Sequence, residues 1–295
     1  MKKRKGFALA AAAASGLALV QYLELKQFEL TNYKYKTTKV SKRIRLAVVA
    51  DLHGVEFGKD NSRLIDALER ESPDLILIPG DFITAERDQV YQKMGYPLSA
   101  ARTLHRLAEL APVYYSYGNH ENRLAREKMK MREHVWKWYR KEADKAGVHF
   151  LKNESALVSV DGDLLEISGL DIDFSYYAKL VDIQMRDGYI ESLLPKKKKE
   201  DALQILLAHN PAYFEQYLSI HPNLIISGHT HGGLVRIPGY GSLLSPELKL
   251  FPDYDAGRYD REGASMFVSR GLGTHGYPIR VCNRAELMLI DLEPV

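Results

Sequence analysis

The stretch that decides the fold is Asn223-Leu-Ile-Ile-Ser-Gly-His-Thr-His-Gly-Gly233. Leu224, Ile225 and Ile226 make a short apolar run that stops at Ser227 and Gly228, the pattern of a buried strand ending in a tight turn. The turn carries His229 and His231. Two imidazoles one residue apart leave a regular strand on the same side, and the flanking glycines let the backbone come close to whatever the rings hold. This suits a metal better than a core, although histidines also end strands without any chemical purpose. What separates the two readings is whether other strand ends repeat the design.

They do. Residues 46–50 run into Asp51-Leu52-His53-Gly54, residues 75–78 into Pro79-Gly80-Asp81, residues 113–117 into Gly118-Asn119-His120-Glu121, and residues 203–208 into His209-Asn210-Pro211. Between these apolar runs lie helical patterns. One has Leu64, Ile65 and Leu68 on one face and is closed by Pro73; a second covers 99–110; a third, long and charged, covers 122–146, where Trp136, Trp138 and Tyr139 either pack or cover a site. Alternating strands and helices predict an α/β protein with parallel strands, whose functional groups gather at the carboxyl ends of the strands. Residues 155–160 and 163–167, joined at Asp161-Gly162, predict a hairpin that begins a second sheet. A short helix over 212–218 and strands over 265–269 and 286–292 complete the pattern.

With 295 residues and 45% hydrophobic side chains, the chain can bury one large core. A net charge of +3, carried by local basic groups rather than a stripe, argues against a nucleic-acid partner. Cys282 is the single cysteine, so a metal here must take nitrogen and oxygen ligands. Lys2, Lys3, Arg4 and Lys5 precede an apolar run over 7–20, short for a spanning helix of about 20 residues. Residues 1–25 are therefore expected to be either a cleaved signal peptide or a membrane anchor, residues 26–44 a linker or edge strand, and residues 45–295 the main domain. The N-terminal charges keep that end in the cytoplasm and place the domain outside it; the basic group from Lys34 to Arg45 opposes this orientation. Lys196 to Lys199 predicts a solvated loop or a contact with anionic lipid.

Asp51, His53, Asp81, Asn119, His120, His209, His229 and His231 together suit two divalent ions of the Mn²⁺, Fe²⁺ or Zn²⁺ kind with one carboxylate bridging them. Two ions roughly 4 Å apart clamp the attacking and leaving oxygens of a displacement at phosphorus.

In Asp51-Leu52-His53, Gly80-Asp81, Gly118-Asn119-His120-Glu121, the lone His209 and Gly228-His229-Thr230-His231, the chain resembles the calcineurin-like metallophosphoesterase superfamily from Arg45 to its end. The resemblance implies a four-layer α/β/β/α sandwich of two mixed sheets. It also implies that Asp51, His53 and His231 hold one ion, that Asn119, His209 and His229 complete the other, and that Asp81 bridges them. His120 would then be a catalytic group beside the ions and not a ligand, in an enzyme that hydrolyses a phosphoester by attack of metal-bound hydroxide. Many relatives carry an acidic residue shortly after Gly-Asp that orients this histidine; here the place holds Thr84, so the orienting group is open. Residues 267–274 and 277–280 look like a bacterial branch with an N-terminal membrane segment, similar to enzymes of the UDP-2,3-diacylglucosamine hydrolase type. This resemblance implies a lipid-linked phosphodiester or pyrophosphate substrate, and Arg270, His275 and Arg280 would either offer cations to its phosphate or pair with carboxylates of the fold. Rival expectations are a phosphomonoesterase for a soluble or protein substrate and an inactive metal-binding scaffold.

Overall fold

A computed structural model of the chain describes residues 15–16, 19–85, 95–126, 130–178, 181, 183–194, 199–246, 248–261, 263–274 and 278–295. Two six-stranded sheets form the centre of the molecule. In the first, β1 (Phe28–Thr37), β14 (Ala285–Pro294), β2 (Ile44–Val48), β3 (Leu75–Ile78), β4 (Val113–Ser116) and β5 (His149–Leu151) lie side by side in that order. Strands β2 to β5 run parallel, and β14 inserts antiparallel to β2 and parallel to β1. Residues 28–37, expected as a linker or edge strand, are thus hydrogen-bonded along their whole length at the edge of the sheet. The second sheet has the order β12 (Gly257–Arg261), β13 (Ala264–Val268), β9 (Leu224–Ser227), β8 (Leu203–Ala208), β7 (Asp163–Leu170) and β6 (Glu154–Val160).

Alternation of side chains along each strand divides the core into layers. Leu46, Val48, Leu75, Leu77, Met288 and Ile290 meet Leu165, Ile205, Leu207, Ile226 and Phe267 between the sheets. The opposite faces of the first sheet, such as Ala47, Ile76, Ile78, Tyr115 and Leu289, pack on Leu64 and Leu68 of α1 (Ser62–Glu71) and on Leu104 and Leu107 of α2 (Gly95–Leu110). Behind the second sheet, Leu206, Ile225, Met266 and Val268 pack on Phe214 and Tyr217. The result is the α/β/β/α sandwich.

Some expectations need correction. The helix over 122–146 starts earlier: α3 is Asn119–Arg126 and α4 is Lys130–Lys145, with 127–129 outside the described residues. Asn119, expected at the end of a strand, is the first residue of α3, and the peptide N–H of Gly118 donates to Glu121 at the helix entry. Trp136 and Tyr139 are buried against the first sheet, with Trp138 packed beside them, so these aromatics belong to the core. Residues 1–14, 17 and 18 lie outside the described residues, as do Lys196, Lys197, Lys198 and His275. Among the described residues no helix is long and apolar enough to cross a membrane.

Candidate metal centre

Both sheets deliver their carboxyl-terminal strand ends to one edge. Asp51 and His53 follow β2, Asp81 follows β3, Asn119 and His120 open α3 just after β4, His209 follows β8, and His229 and His231 follow β9. Backbone bonds knit these turns together: Asp51 N–H donates to Gly80 O, His53 N–H to Asp81 O, and Gly228 N–H to His209 O, the last pair joining the ends of β8 and β9. Asp51, His53, Asp81, His229 and His231 all have left-handed backbones, with φ from 43° to 71°. Each non-glycine residue so held costs about 1–2 kcal/mol, which local hydrogen bonds must offset. Glycine is required where the turns touch: a Cβ on Gly228 would collide with the Asp51 carboxylate, and one on Gly118 with that of Asp81.

Asp51, His53 and His231 place ligand atoms within 4.8 Å of one another, and so do Asp81, His209 and His229. A third such group joins His120 to His53 and Asp81. Oδ2 of Asp81 stands 3.6 Å from Nε2 of His53 and 3.1 Å from Nε2 of His209; Oδ1 of Asp51 stands 3.8 Å from Nε2 of His209 and 3.9 Å from Nε2 of His231. Ligand atoms around an ion bound at ~2.1 Å stand roughly 3–3.5 Å apart, and these separations lie within or a little beyond that range, as expected of a metal-competent cluster. The Nδ1 atoms of His209 and His231 face the carbonyls of Pro79 and Gly273 at 3.1 and 3.2 Å. Donating there fixes the tautomer and turns the Nε2 lone pair inward, as ligating histidines do.

Electrostatics favour the same fit. Burial holds the carboxyls of Asp51 and Asp81 above the ordinary carboxylate range, each raised further or relieved only in part by its neighbours. Burial also lowers His209 to about 4, so its imidazole stays neutral. The Oδ1 atom of Asn119 is buried and accepts no hydrogen bond among the described residues. Buried carboxyls with the neutral His209 imidazole and an orphaned amide oxygen form a donor set that a cation would satisfy.

His120 is fully buried beside His53, with ring centres 4.7 Å apart. Its Nδ1 accepts the Ala85 N–H at 2.8 Å and lies 3.1 Å from Oγ1 of Thr84. An N–H donor at Nδ1 requires the lone pair there and the proton on Nε2. Glu121 does not orient this ring. It accepts from the N–H groups of Asp81, Gly118 and Ile83 and from the Tyr115 hydroxyl, and burial together with the nearby Asp81 raises it to about 7.

Residues 44–233 match the family described as calcineurin-like phosphoesterase. The chain belongs to that family. It is 27% identical to the Escherichia coli phosphodiesterase YaeI over 99% of this chain and 100% of that one. It is 25% identical to YkuE, an uncharacterized metallophosphoesterase of Bacillus subtilis, over 95% and 91% of the two chains. Among solved structures, a putative 5′-nucleotidase from Staphylococcus aureus superposes with a TM-score of 0.52 at 14% identity, covering 79% of this chain and 49% of that one, a likeness of fold. As a member of the calcineurin-like phosphoesterases the chain is a hydrolase with a metal-competent centre.

For Arg270 and Arg280 two readings were left open, cations for a substrate phosphate or partners within the fold, and the structure gives both a partner within the fold. Arg280 is 1% exposed and its terminal nitrogens donate to the carbonyls of His231, Asn283, Arg270, Gly271 and Gly273, so it braces the loops behind the ligands. Arg270 pairs with Glu29 and Glu286. Sequence reading missed Ala85 and Tyr177, whose ring meets His229 edge-on at 5.2 Å. Tyr177 lies beyond the end of β7, and the strand-end rule applied to residues 171–177 points to it.

Proposed function

We propose that the chain hydrolyses phosphodiesters with two divalent ions, Asp51, His53 and His231 holding one, Asn119, His209 and His229 the other, and Asp81 bridging. The observation that carries this reading is Oδ2 of Asp81, a single oxygen 3.6 Å from one ligand set at His53 and 3.1 Å from the other at His209. When bound, the ions would activate water and screen the phosphoryl charge. The chain's own residues do the rest. The Pro79 and Gly273 carbonyls aim the imidazoles of His209 and His231, and the peptide N–H of His120 donates to Oδ1 of Asp81 and fixes the carboxylate that would stand between the two ligand sets. His120 keeps its proton on Nε2 and offers it as a donor to a phosphoryl or leaving oxygen. The relative named a phosphodiesterase supports a diester over a monoester. A lipid-linked substrate, reached from the membrane side through the N-terminal segment, is the finer reading.

The test is metal titration of stripped protein with Mn²⁺, Fe²⁺ and Zn²⁺, followed by assay on bis(p-nitrophenyl) phosphate and p-nitrophenyl phosphate. Two ions per chain and faster diester turnover are expected. One ion per chain would remove the bridging role of Asp81; two ions without turnover of either ester would leave a metal-binding scaffold.

A further inference from the structure

We propose that the helix over 19–26 is a working part of the metal centre: Gln21 grips residues 278–280, and through Arg280 that grip sets how tightly His231 keeps its ion. The inference rests on the ligand assignment proposed above. It makes residues 19–25, expected as part of a signal peptide or membrane anchor, a piece of the catalytic frame with Gln21 as a positioning residue.

Strand order brings the two segments together. β1 and β14 run parallel with Phe28 opposite Ala285, so the stretches that precede them, 19–26 and 278–283, arrive at the same end of the sheet. There Arg63 ties down the end of the helix, its Nη1 donating to Lys26 O at 3.2 Å. Gln21, Glu24 and Leu25 are half-buried, whereas Leu19, Val20, Tyr22 and Leu23 are exposed. The inner face therefore has i, i+3, i+4 spacing but is mostly polar, and polar pairing rather than hydrophobic burial must hold it. Gln21 supplies the pairing: Nε2 donates to Pro278 O at 2.9 Å, and Oε1 accepts the Arg280 N–H at 3.1 Å. One orientation of the amide satisfies both bonds and clasps the two peptide groups that flank Ile279. The next residue is held in turn by β10 (Val235–Ile237), which pairs with β11 (Gly241–Leu244): Arg236 N–H donates to Val281 O, and Val281 N–H to Leu234 O.

Arg280 carries the grip inward. Its guanidinium donates to the carbonyls of His231 and Gly273, and Gly273 O faces Nδ1 of His231 at 3.2 Å. Gln21, Arg280, Gly273 and His231 thus form one connected chain that ends on a ring grouped with Asp51 and His53. Burial lowers the Arg280 cation, and Glu24, on the same face of the helix as Gln21, is among the anions that work against it. Removing the group that fixes the outer nitrogen of a ligating histidine costs about 10–100-fold in metal affinity, so loosening it from one step further out costs less.

Calorimetric titration of the stripped full chain with Mn²⁺ tests this, together with hydrogen exchange. Gln21→Ala should weaken one Mn²⁺ site by about three- to tenfold. Tyr22→Ala, on the exposed face of the same helix, should stay within about twofold of wild type. Coupling is reciprocal, so Mn²⁺ should slow exchange of the amides of 19–26 and of Arg280 in the wild type by a similar factor, and should not in Gln21→Ala. Equal Mn²⁺ affinity in wild type and Gln21→Ala overturns the inference. So does equal weakening by Gln21→Ala and Tyr22→Ala, which would make the helix a general support. If Gln21→Ala does not fold, exchange in the wild type decides: slowing by Mn²⁺ supports the joint, and indifference overturns it. A wild type that binds no Mn²⁺ overturns the ligand assignment and this inference with it.

Discussion

Two sets of buried charge lie back to back in this molecule. On one side stand the Asp51 and Asp81 carboxyls; on the other stands the Arg280 guanidinium, on a loop whose Gly271 is packed so closely that a Cβ there would meet the Cβ of Asp51 at 2.7 Å. Both sets were candidates for chemistry when read as sequence. Arg280 directs two nitrogens at five carbonyls, and although burial lowers it to about 10 it stays charged near neutrality. The carboxyls instead remain short of compensation, which is why burial raises them. A buried charge with its partners supplied by the fold is a brace; one left in debt is waiting for a ligand.

The largest effect that could break this comparison is Asp81→Asn. Asparagine tolerates the left-handed backbone at this position, φ 52°, so shape is retained while the carboxylate charge is lost. Turnover should fall by about a thousandfold or more and metal content should drop, while the metal-free protein melts no earlier than the wild type. A fall in metal-free stability would make Asp81 a brace too. Arg280→Met should do the reverse. Stranding the carbonyls should cost about 3 kcal/mol in urea unfolding, while folded protein keeps the wild-type metal content and turnover within about tenfold. Full stability with lost turnover would restore Arg280 to the substrate.

What could be read from sequence follows the same division. Asp51, His53, Asp81, His209, His229 and His231 were visible because each interrupts an apolar run, and strand ends are local. Asp161-Gly162 was visible for a similar reason: a type I′ hairpin turn needs positive φ at both positions, here 52° and 95°. The placing of β14 between β1 and β2 was not visible, since register over some 250 residues leaves no local trace. Nor were the partners of Arg270 and Arg280, or the approach of Ala85 and Tyr177. Residue type states what a side chain can do, and only packing states whether the fold has already used it.

Acidity offers a subtler comparison of metal-free and metal-loaded protein. Asp51, Asp81 and Glu121 are raised by burial, Glu121 to about 7, so in the folded chain they hold protons that the unfolded chain gives up from about pH 4 upward. Folded protein then binds more protons than unfolded, and stability falls as pH rises through about 4 to 7. His209, lowered to about 4, works the other way below about pH 6.5, but it is one group against three. The chelated protein should therefore melt earlier at about pH 7 than at about pH 5, and added Mn²⁺ should remove most of that difference. Identical slopes with and without metal would mean that the ions do not meet these carboxyls.

The smallest expected effect concerns Thr84, at the place where the family resemblance led to the expectation of an acid. A carboxylate at Nδ1 of His120 would accept a proton from the ring and leave Nε2 bare; the Ala85 N–H at 2.8 Å does the opposite and keeps the proton on Nε2. Thr84→Val removes the hydroxyl 3.1 Å from Nδ1 and preserves the shape. With the backbone donor still in place, kcat should fall only about three- to tenfold, Thr84→Ser should recover most of it, and metal content should not change. Thr84→Asp is the sharper probe, because an anion at Nδ1 competes with the Ala85 N–H for the ring and shifts the proton from Nε2 toward Nδ1. A gain in turnover on that exchange would show that His120 works better with Nε2 bare than as the donor its present bonds make it.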